Sequence, residues 1–456
     1  VLQRPPLSGA AAFRLGLRYG NWRVRLDIVT SEPTLPGKQQ TQGESDMRSI
    51  FAAVSVLALA AACGPTEPAK PVALAPSATA NADLQKLLIE AKPGDTIEIG
   101  AGTFDFTEGL SLTVDDVTIK GAGIDKTILS FKGQKGAGEG LLVTSDGVTL
   151  TGFTMQDSKG DGIKSKGADD IVYKDLKVEW TGGPKAENGA YGVYPVESKN
   201  VLVDGVIVSG ASDAGIYVGQ SDNIIVRNSR AEFNVAGIEI ENSSRADVYD
   251  NVATKNAGGI LVFDLPDLPK KDGHSTRVFN NQIIENDTPN FAPPGNIVAG
   301  VPTGTGVLLM ANRNVHVFNN TFDKNKTTHV MVVAYSNEFK DTAYNPLPRD
   351  FVIRDNTYGE GGNDPQGRLA PLAPAIGGKL PPIVWDGVTK YGDVTGDVKI
   401  VVREKPEVGF INLGLGSTPP DLTKAKPSMD RQPDVALEEP PAVVLPERAK
   451  PKKEGA

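Results

Sequence analysis

Alternation of aliphatic and polar residues dominates the middle of the chain. Stretches such as GIYVGQSDNIIVRNSRAEF (215–233) and GIEIENSSRADVYDN (237–251) change character at every second residue, then break at Ser, Asn, Asp or Gly. Period-two alternation in such short runs predicts strands, and the turn formers between them predict bends. A small-Gly-aliphatic phrase recurs through the same region. Its glycines are Gly140, Gly162, Gly192, Gly215, Gly237, Gly259 and Gly306, with His329 in the next place. The intervals are 22, 30, 23, 22, 22, 47 and 23 residues. A unit of 22–23 residues with insertions marks a solenoid. The interval of 47 is either two units or one unit with long loops.

Each unit has room for three short strands, one coil of a right-handed parallel β-helix. Strands of successive coils lie about 4.8 Å apart, so residues at one place in the repeat stack into ladders. Ile216, Ile238, Ile260 and Val307 then form an internal ladder whose burial supplies most of the stability. Ser229, Asn251, Asn281, Asn320 and Asn356 form a second ladder at a bend. There Asn tolerates left-handed backbone, and stacked amides bond up the column.

The ends of a solenoid need covers. Leu84, Leu87 and Leu88 in ADLQKLLIEA (82–91) have helical spacing and predict an N-terminal capping helix. The expected fold class is therefore all-β, a β-helix over 82–360 with that cap. Residues 361–456 are expected to be a Pro-rich extension, partly stranded around IVWDGVTKYGDVTGDVKIVVRE and then disordered.

Composition and charge narrow the function classes. Lys+Arg number 47 and Asp+Glu 56, a formal net charge of −9 that argues against a nucleic-acid partner. One Cys excludes an intramolecular disulfide. MRSIFAAVSVLALAAAC (47–63) joins Arg48 to an apolar run that is too short to span a bilayer but suits a signal-peptide core. It resembles a bacterial lipoprotein signal, with Leu59 one residue from its usual place. That resemblance implies a signal peptide over 47–62 and lipidation of Cys63, hence an anchor to a bilayer of the bacterial cell envelope, on the periplasmic face or the cell surface. The Pro/Ala-rich 63–81 reads as a flexible tether. Residues 1–46 fit no element and read as a translation start placed too far upstream.

The unit itself, the PGDTIEIGAGTF opening and the VFNNTF turns resemble the right-handed β-helix (pectate-lyase-like) superfamily. GIYVGQSDNIIVRNSRAEFNVAGIEIENS and TPNFAPPGNIVA are similar to bacterial parallel β-helix repeat lipoproteins, which sit beside mannuronan C5-epimerases and NosD-type copper-accessory proteins. The epimerase resemblance would call for an Asp-Pro-His-Asp type motif, which this sequence lacks, and the pectate-lyase Asp/Arg pattern is not recognisable.

Outward positions carry the candidate chemistry. The second residue after each repeat Gly is Lys164, Tyr194, Tyr217, Glu239, Leu261, Leu308 and Met331; the fourth is Lys166, Val196, Gly219, Glu241, Phe263, Met310 and Val333. Lys164, Tyr194, Tyr217 and Glu239, with Asp213 beside them, are the candidate catalytic column, because Lys or Tyr beside carboxylates suits proton abstraction from a uronate. Lys166, Glu241 and Asp264 are candidate substrate contacts. Glu239, Glu241 and Asp213 are oxygen ligands of the kind Ca²⁺ favours, which makes Ca²⁺ a candidate cofactor. His329, Met331 and Met310 suit copper instead. Insertions at Thr181–Ala190, Asp264–His274 and Asn286–Gly304 are placed to wall the column.

Two functions follow. One is a lipid-anchored protein, monomeric, that binds an acidic polysaccharide and modifies it as a lyase or uronate C5-epimerase. The other is a non-catalytic module for a glycan, a partner protein or a metal. The blander account of the column is a solvated strand face on which Tyr is common.

Overall fold

The structure is a computed structural model that describes residues 73–447 apart from 421, 422 and 424. Three long parallel sheets form the faces of a coil. One turn shows the plan: Asp222–Arg227 lies in the first sheet, Arg230–Glu232 in the second and Ala236–Glu241 in the third. The next turn repeats it as Ser244–Tyr249, Val252–Thr254 and Gly258–Phe263. Among the described residues the three sheets hold 11, 10 and 11 strands. Each strand pairs in parallel with its counterpart one coil away, as Ile216 with Ile238 and Ile238 with Ile260.

Strand alternation sends every second side chain into the coil, where Ile216, Ile238, Ile260, Val307 and Val330 are fully buried. The bends are made by residues in left-handed backbone, such as Asn228, Asp250, Asn280 and Asn319, each followed by a ladder residue. Behind them Asn251 Nδ2 donates to Asn281 Oδ1 (3.0 Å), Asn281 to Asn320 (3.0 Å) and Asn320 to Asn356 (3.0 Å). Each amide also donates to a backbone carbonyl, as Asn251 does to Val226 O. A second ladder stands at the next bend. Asn234, Asn256, Asn286 and Asn325 bond in the same way at 3.1, 3.1 and 3.0 Å. Asn286 reads from the sequence as the start of an insertion, which hides its place in this column.

Helix α1 (Ala80–Glu90) covers the first coil with Leu84 and Leu88, whereas Leu87 is exposed because its direction faces away from the coil. Leu74, within the stretch expected to be a tether, already pairs with Ile99, and its N–H donates to Glu98 O. The interval of 47 is one coil with long loops, because Ile260 pairs directly with Val307.

The C-terminal boundary differs from the sequence expectation. The coil continues past 360 through Ile383–Trp385, Ile400–Arg403 and Phe410–Asn412, which extend the first and third sheets. The prolines that argue against strands, Pro371, Pro374, Pro381 and Pro382, lie in the excursion that precedes Ile383. Residues 428–444, expected to be disordered, form a strap that starts beside Asn412 of the third sheet and, from Gln432, runs along the outer face of the first. Charge holds it: Arg403 Nε donates to Asp434 (2.8 Å), while Arg277 and Arg354 donate to the two oxygens of Glu439 (3.1 and 2.6 Å). Val443 N donates to Asp247 (3.0 Å) and Asn223 Nδ2 to Val444 O (3.2 Å). The basic column on the sheet supplies partners that a sequence read locally does not reveal.

Candidate functional site

On the outer face of the third sheet, backbone register places like positions side by side. Lys164 pairs with Tyr194, Tyr217 with Glu239, Glu239 with Leu261, Leu261 with Leu308 and Leu308 with Met331. The face is polar over the early coils and apolar over the later ones. Where the two meet lies a cleft of about 340 Å³, lined by Tyr191, Asp213, Glu239, Glu241, Phe263 and the loop Gly295–Val298, among others.

Tyr191, Tyr194 and Tyr217 pack into one aromatic cluster, with centroid separations of 4.5, 4.6 and 4.8 Å. The Tyr217 ring lies over Gly219, where a Cβ would come within 2.2 Å of the Tyr217 hydroxyl. That glycine lets Tyr217 reach along the strand and donate to Glu241 Oε2 (2.9 Å). Tyr191 OH and Asn296 Nδ2 both donate to Asp213 Oδ2 (3.3 Å each). Asn296 belongs to the long loop of 285–304, which is pinned by Asn290 Nδ2 donating to Val298 O and Val301 O (2.8 and 3.0 Å). Val298 and Val301 press into the apolar side of the face.

Glu239 is the most deeply buried member, 1% exposed, and its Oε1 has no hydrogen-bond partner among the described residues. Burial raises its carboxyl well above the ordinary range, and the charges of Asp213 and Glu241 push the same way. Burial likewise lifts Asp213 to about 7 and Glu241 to about 7, against the opposing hydrogen bonds from Tyr191 and Tyr217. Burial holds the Tyr191 and Tyr217 hydroxyls far above their usual value, and Tyr194 at about 12. The tyrosines are therefore donors, and the carboxyls are the groups that exchange protons near neutrality.

Lys164 stands at the rim. Its ammonium pairs with Glu139 (3.3 Å) and Asp161 (3.6 Å) and lies 4.8 Å from the Tyr194 ring centroid. Burial, reinforced by Glu139, lifts Asp161 to about 6 despite Lys164.

Two expected contacts lie elsewhere. Lys166 is exposed and reaches Glu197 at 3.8 Å. Asp264 is consumed by structure, accepting from Gly273 N (2.6 Å) and Asn312 Nδ2 (2.7 Å) where its loop leaves the strand. His329 turns into a bend, bonded to Asn325 and packed against Phe322 and Tyr358, away from the groove that Met310 and Met331 line. Its imidazole does not join the two sulfurs as a copper site. For Ca²⁺, no group of three or more His, Cys, Asp or Glu side chains is gathered closely enough among the described residues. Cys63 lies outside the described residues.

Sequence reading missed Tyr191, Asp161 and Asn296. The first two occupy the place just before the repeat Gly, as Glu139 does, where the next coils have Ala214, Ala236 and Gly258. A large or charged residue in a column of small ones was the available signal. Asn296 carries no such mark, because nothing local says where its loop lands.

The family model described as "Right handed beta helix region" matches residues 108–267 and 188–342, together more than half of the chain. The chain belongs to the right-handed β-helix family. No curated protein matches its sequence. Several solved β-helix structures are similar. The A-module of the Azotobacter vinelandii mannuronan C-5 epimerase AlgE6 is 14% identical over 76% of this chain and 97% of that one, with a TM-score of 0.43. The alginate lyase from Paenibacillus sp. is 18% identical over 63% and 96%, with a TM-score of 0.35. PfbA, a surface adhesin of Streptococcus pneumoniae, is 12% identical over 74% and 89%, with a TM-score of 0.44. The chemistry rests on the side chains of this chain.

Proposed function

We propose that the cleft on the third sheet binds a polysaccharide and modifies it by proton transfer. The observation that carries this reading is Glu239, an unpartnered acid buried between Asp213 and Glu241 and facing a cleft. A carboxyl kept neutral at pH 7 donates a proton or a hydrogen bond where an ordinary carboxylate only accepts. Glu239 is the donor in this scheme. Asp213, poised near 7, is the base. The exposed edges of Tyr191 and Tyr194 offer the amphipathic surface that sugar faces stack on.

An acidic polysaccharide remains compatible with so acidic a wall. Protonated carboxyls donate to a uronate carboxylate and lower the barrier to removing its α-proton, the first step of both elimination and epimerisation. The lyase and C5-epimerase chemistries are the finer forms of this proposal. A non-catalytic glycan-binding module is the second reading. It is favoured by the pairing of Lys164 with Glu139 and Asp161, which occupies the cation closest to the aromatic cluster. In either form we place the protein at the cell envelope, anchored through Cys63. Release from the membrane fraction by Cys63→Ser tests that part.

The central test incubates the purified protein and its Glu239→Gln variant with alginate, pectate and neutral glycans. Unsaturated ends absorbing in the ultraviolet mark a lyase, and a changed uronate ratio by NMR marks an epimerase. Glu239→Gln is expected to cost about 100-fold or more, the lower end of general acid–base contributions. Glycan retention without turnover would leave the binding module.

A further inference from the structure

Beyond the cleft the same strand face becomes a trench. Its floor is the later part of the outward columns, Leu261, Leu308, Met331 and Val384 in one and Phe263, Met310 and Val333 in the other. One side is the loop that carries Asn296, through Ile297 and Val298, continued by the 3₁₀ segment Gly367–Ile376, through Leu369 and Leu372, with Gly367 set beside Pro302; the other is the chain just past the strand Thr328–Val333, through Tyr335, Ser336 and Asn337. The trench has a volume of about 560 Å³, within the roughly 300–1,000 Å³ of small-molecule sites. From Leu261 to Val384 it crosses three strand spacings, about 14 Å.

The trench and the acidic cleft are one continuous depression, because Phe263, Ile297 and Val298 line both. The buried acid at the trench's far side, Asp386, is already satisfied by the N–H groups of Ala334 (2.7 Å) and Val388 (2.9 Å). Ile297 remains 41% exposed at the junction. An outer strand face is normally polar, so an apolar floor kept over four coils between two walls is built for apolar contact.

We infer that the ligand is an amphiphile: a glycan carrying a hydrocarbon substituent, its sugar in the acidic cleft and its chain along the trench. This rests on the reading of the cleft as a glycan site and adds the substrate class. A sugar alone would leave the trench wet, and a hydrocarbon alone would leave Asp213, Glu239 and Glu241 without a polar ligand. Phe263 marks the join between the two halves.

The test is calorimetric titration of the full chain with dodecyl β-maltoside below its micelle concentration, with maltose, and with dodecylphosphocholine. The maltoside is expected to bind at least about tenfold tighter than maltose, since each buried methylene adds favourable transfer free energy. Leu308→Ser should remove that gain. Ile297→Asp, at an exposed loop position, should do so too, which guards against misfolding of the strand variant. Glu239→Gln should weaken maltose and maltoside alike while leaving their ratio unchanged. Equal affinity for maltose and the maltoside overturns the inference and leaves the cleft reading standing. Equal affinity for the maltoside and dodecylphosphocholine, untouched by Glu239→Gln, overturns both. Self-association through the trench, seen by light scattering and abolished by Ile297→Asp, also overturns it.

Discussion

At the scale of single residues, the site depends on acids that burial keeps protonated. Unfolded, Asp213 and Glu241 release their protons near pH 4; folded, they hold them to about 7. Between these values the native chain carries more protons than the unfolded one. Their stabilising contribution is thus complete below about pH 4 and declines as the pH rises through 7. Melting temperature is expected to fall from pH 5 to pH 8, and Asp213→Asn with Glu241→Gln should flatten that fall in a calorimetric series. Gly219 gives an independent handle. Its replacement by Ala puts a methyl into the Tyr217 ring, so the hydroxyl should leave Glu241. The expected result is a Glu241 pKa raised further, because the Tyr217 hydrogen bond that opposes the effect of burial is lost, read by carboxyl NMR, with turnover reduced. The acids at Glu239 and Glu241 were legible in the sequence because the repeat fixes their direction. Their protonation was not, because the burial comes from a loop more than fifty residues later.

At the scale of elements, the ladders do work that hydrophobic burial alone leaves undone. A coil corner must hide backbone carbonyls, and each ladder Asn meets one while bonding to its neighbours above and below. Asn281→Ala removes the link between Asn251 and Asn320 and orphans buried groups on both sides. The expected loss is about 1–3 kcal/mol, measured by denaturant unfolding, with little change for Asn280→Asp at the exposed bend position beside it. The period, the strands and one ladder could be read from the sequence because their spacing repeats. The ladder through Asn286 could not, because a loop begins beside it. Lys166 and Asp264 were misplaced for a related reason: alternation gives the face a residue points to, and only the packed loops say what already stands there.

At the scale of the whole molecule, the strap links coils that sequence distance would never join. It covers His316, which is 1% exposed, has no ring-nitrogen partner among the described residues, and is held at about 4 chiefly by burial. Deleting residues 428–456 is expected to leave the coil's circular dichroism in place, raise amide exchange along 274–279 and 313–318, and open His316 to chemical modification. Glu439→Ala should reproduce part of that change, because one carboxylate joins Arg277 to Arg354. The fold class was legible at this scale and the strap was not: a Pro-rich acidic segment has no periodicity, and its order comes from arginines placed elsewhere.

The strap's course bears on how the chain is made. It runs against the direction in which coils are added, from Asp434 beside Arg403 back to Val444 at Asn223, a residue synthesised 221 positions earlier. During translation every coil emerges before the segment that fastens them, so the stack must grow to full height untied. The later strap then closes the clasp, and a column made without it stands with its seam open.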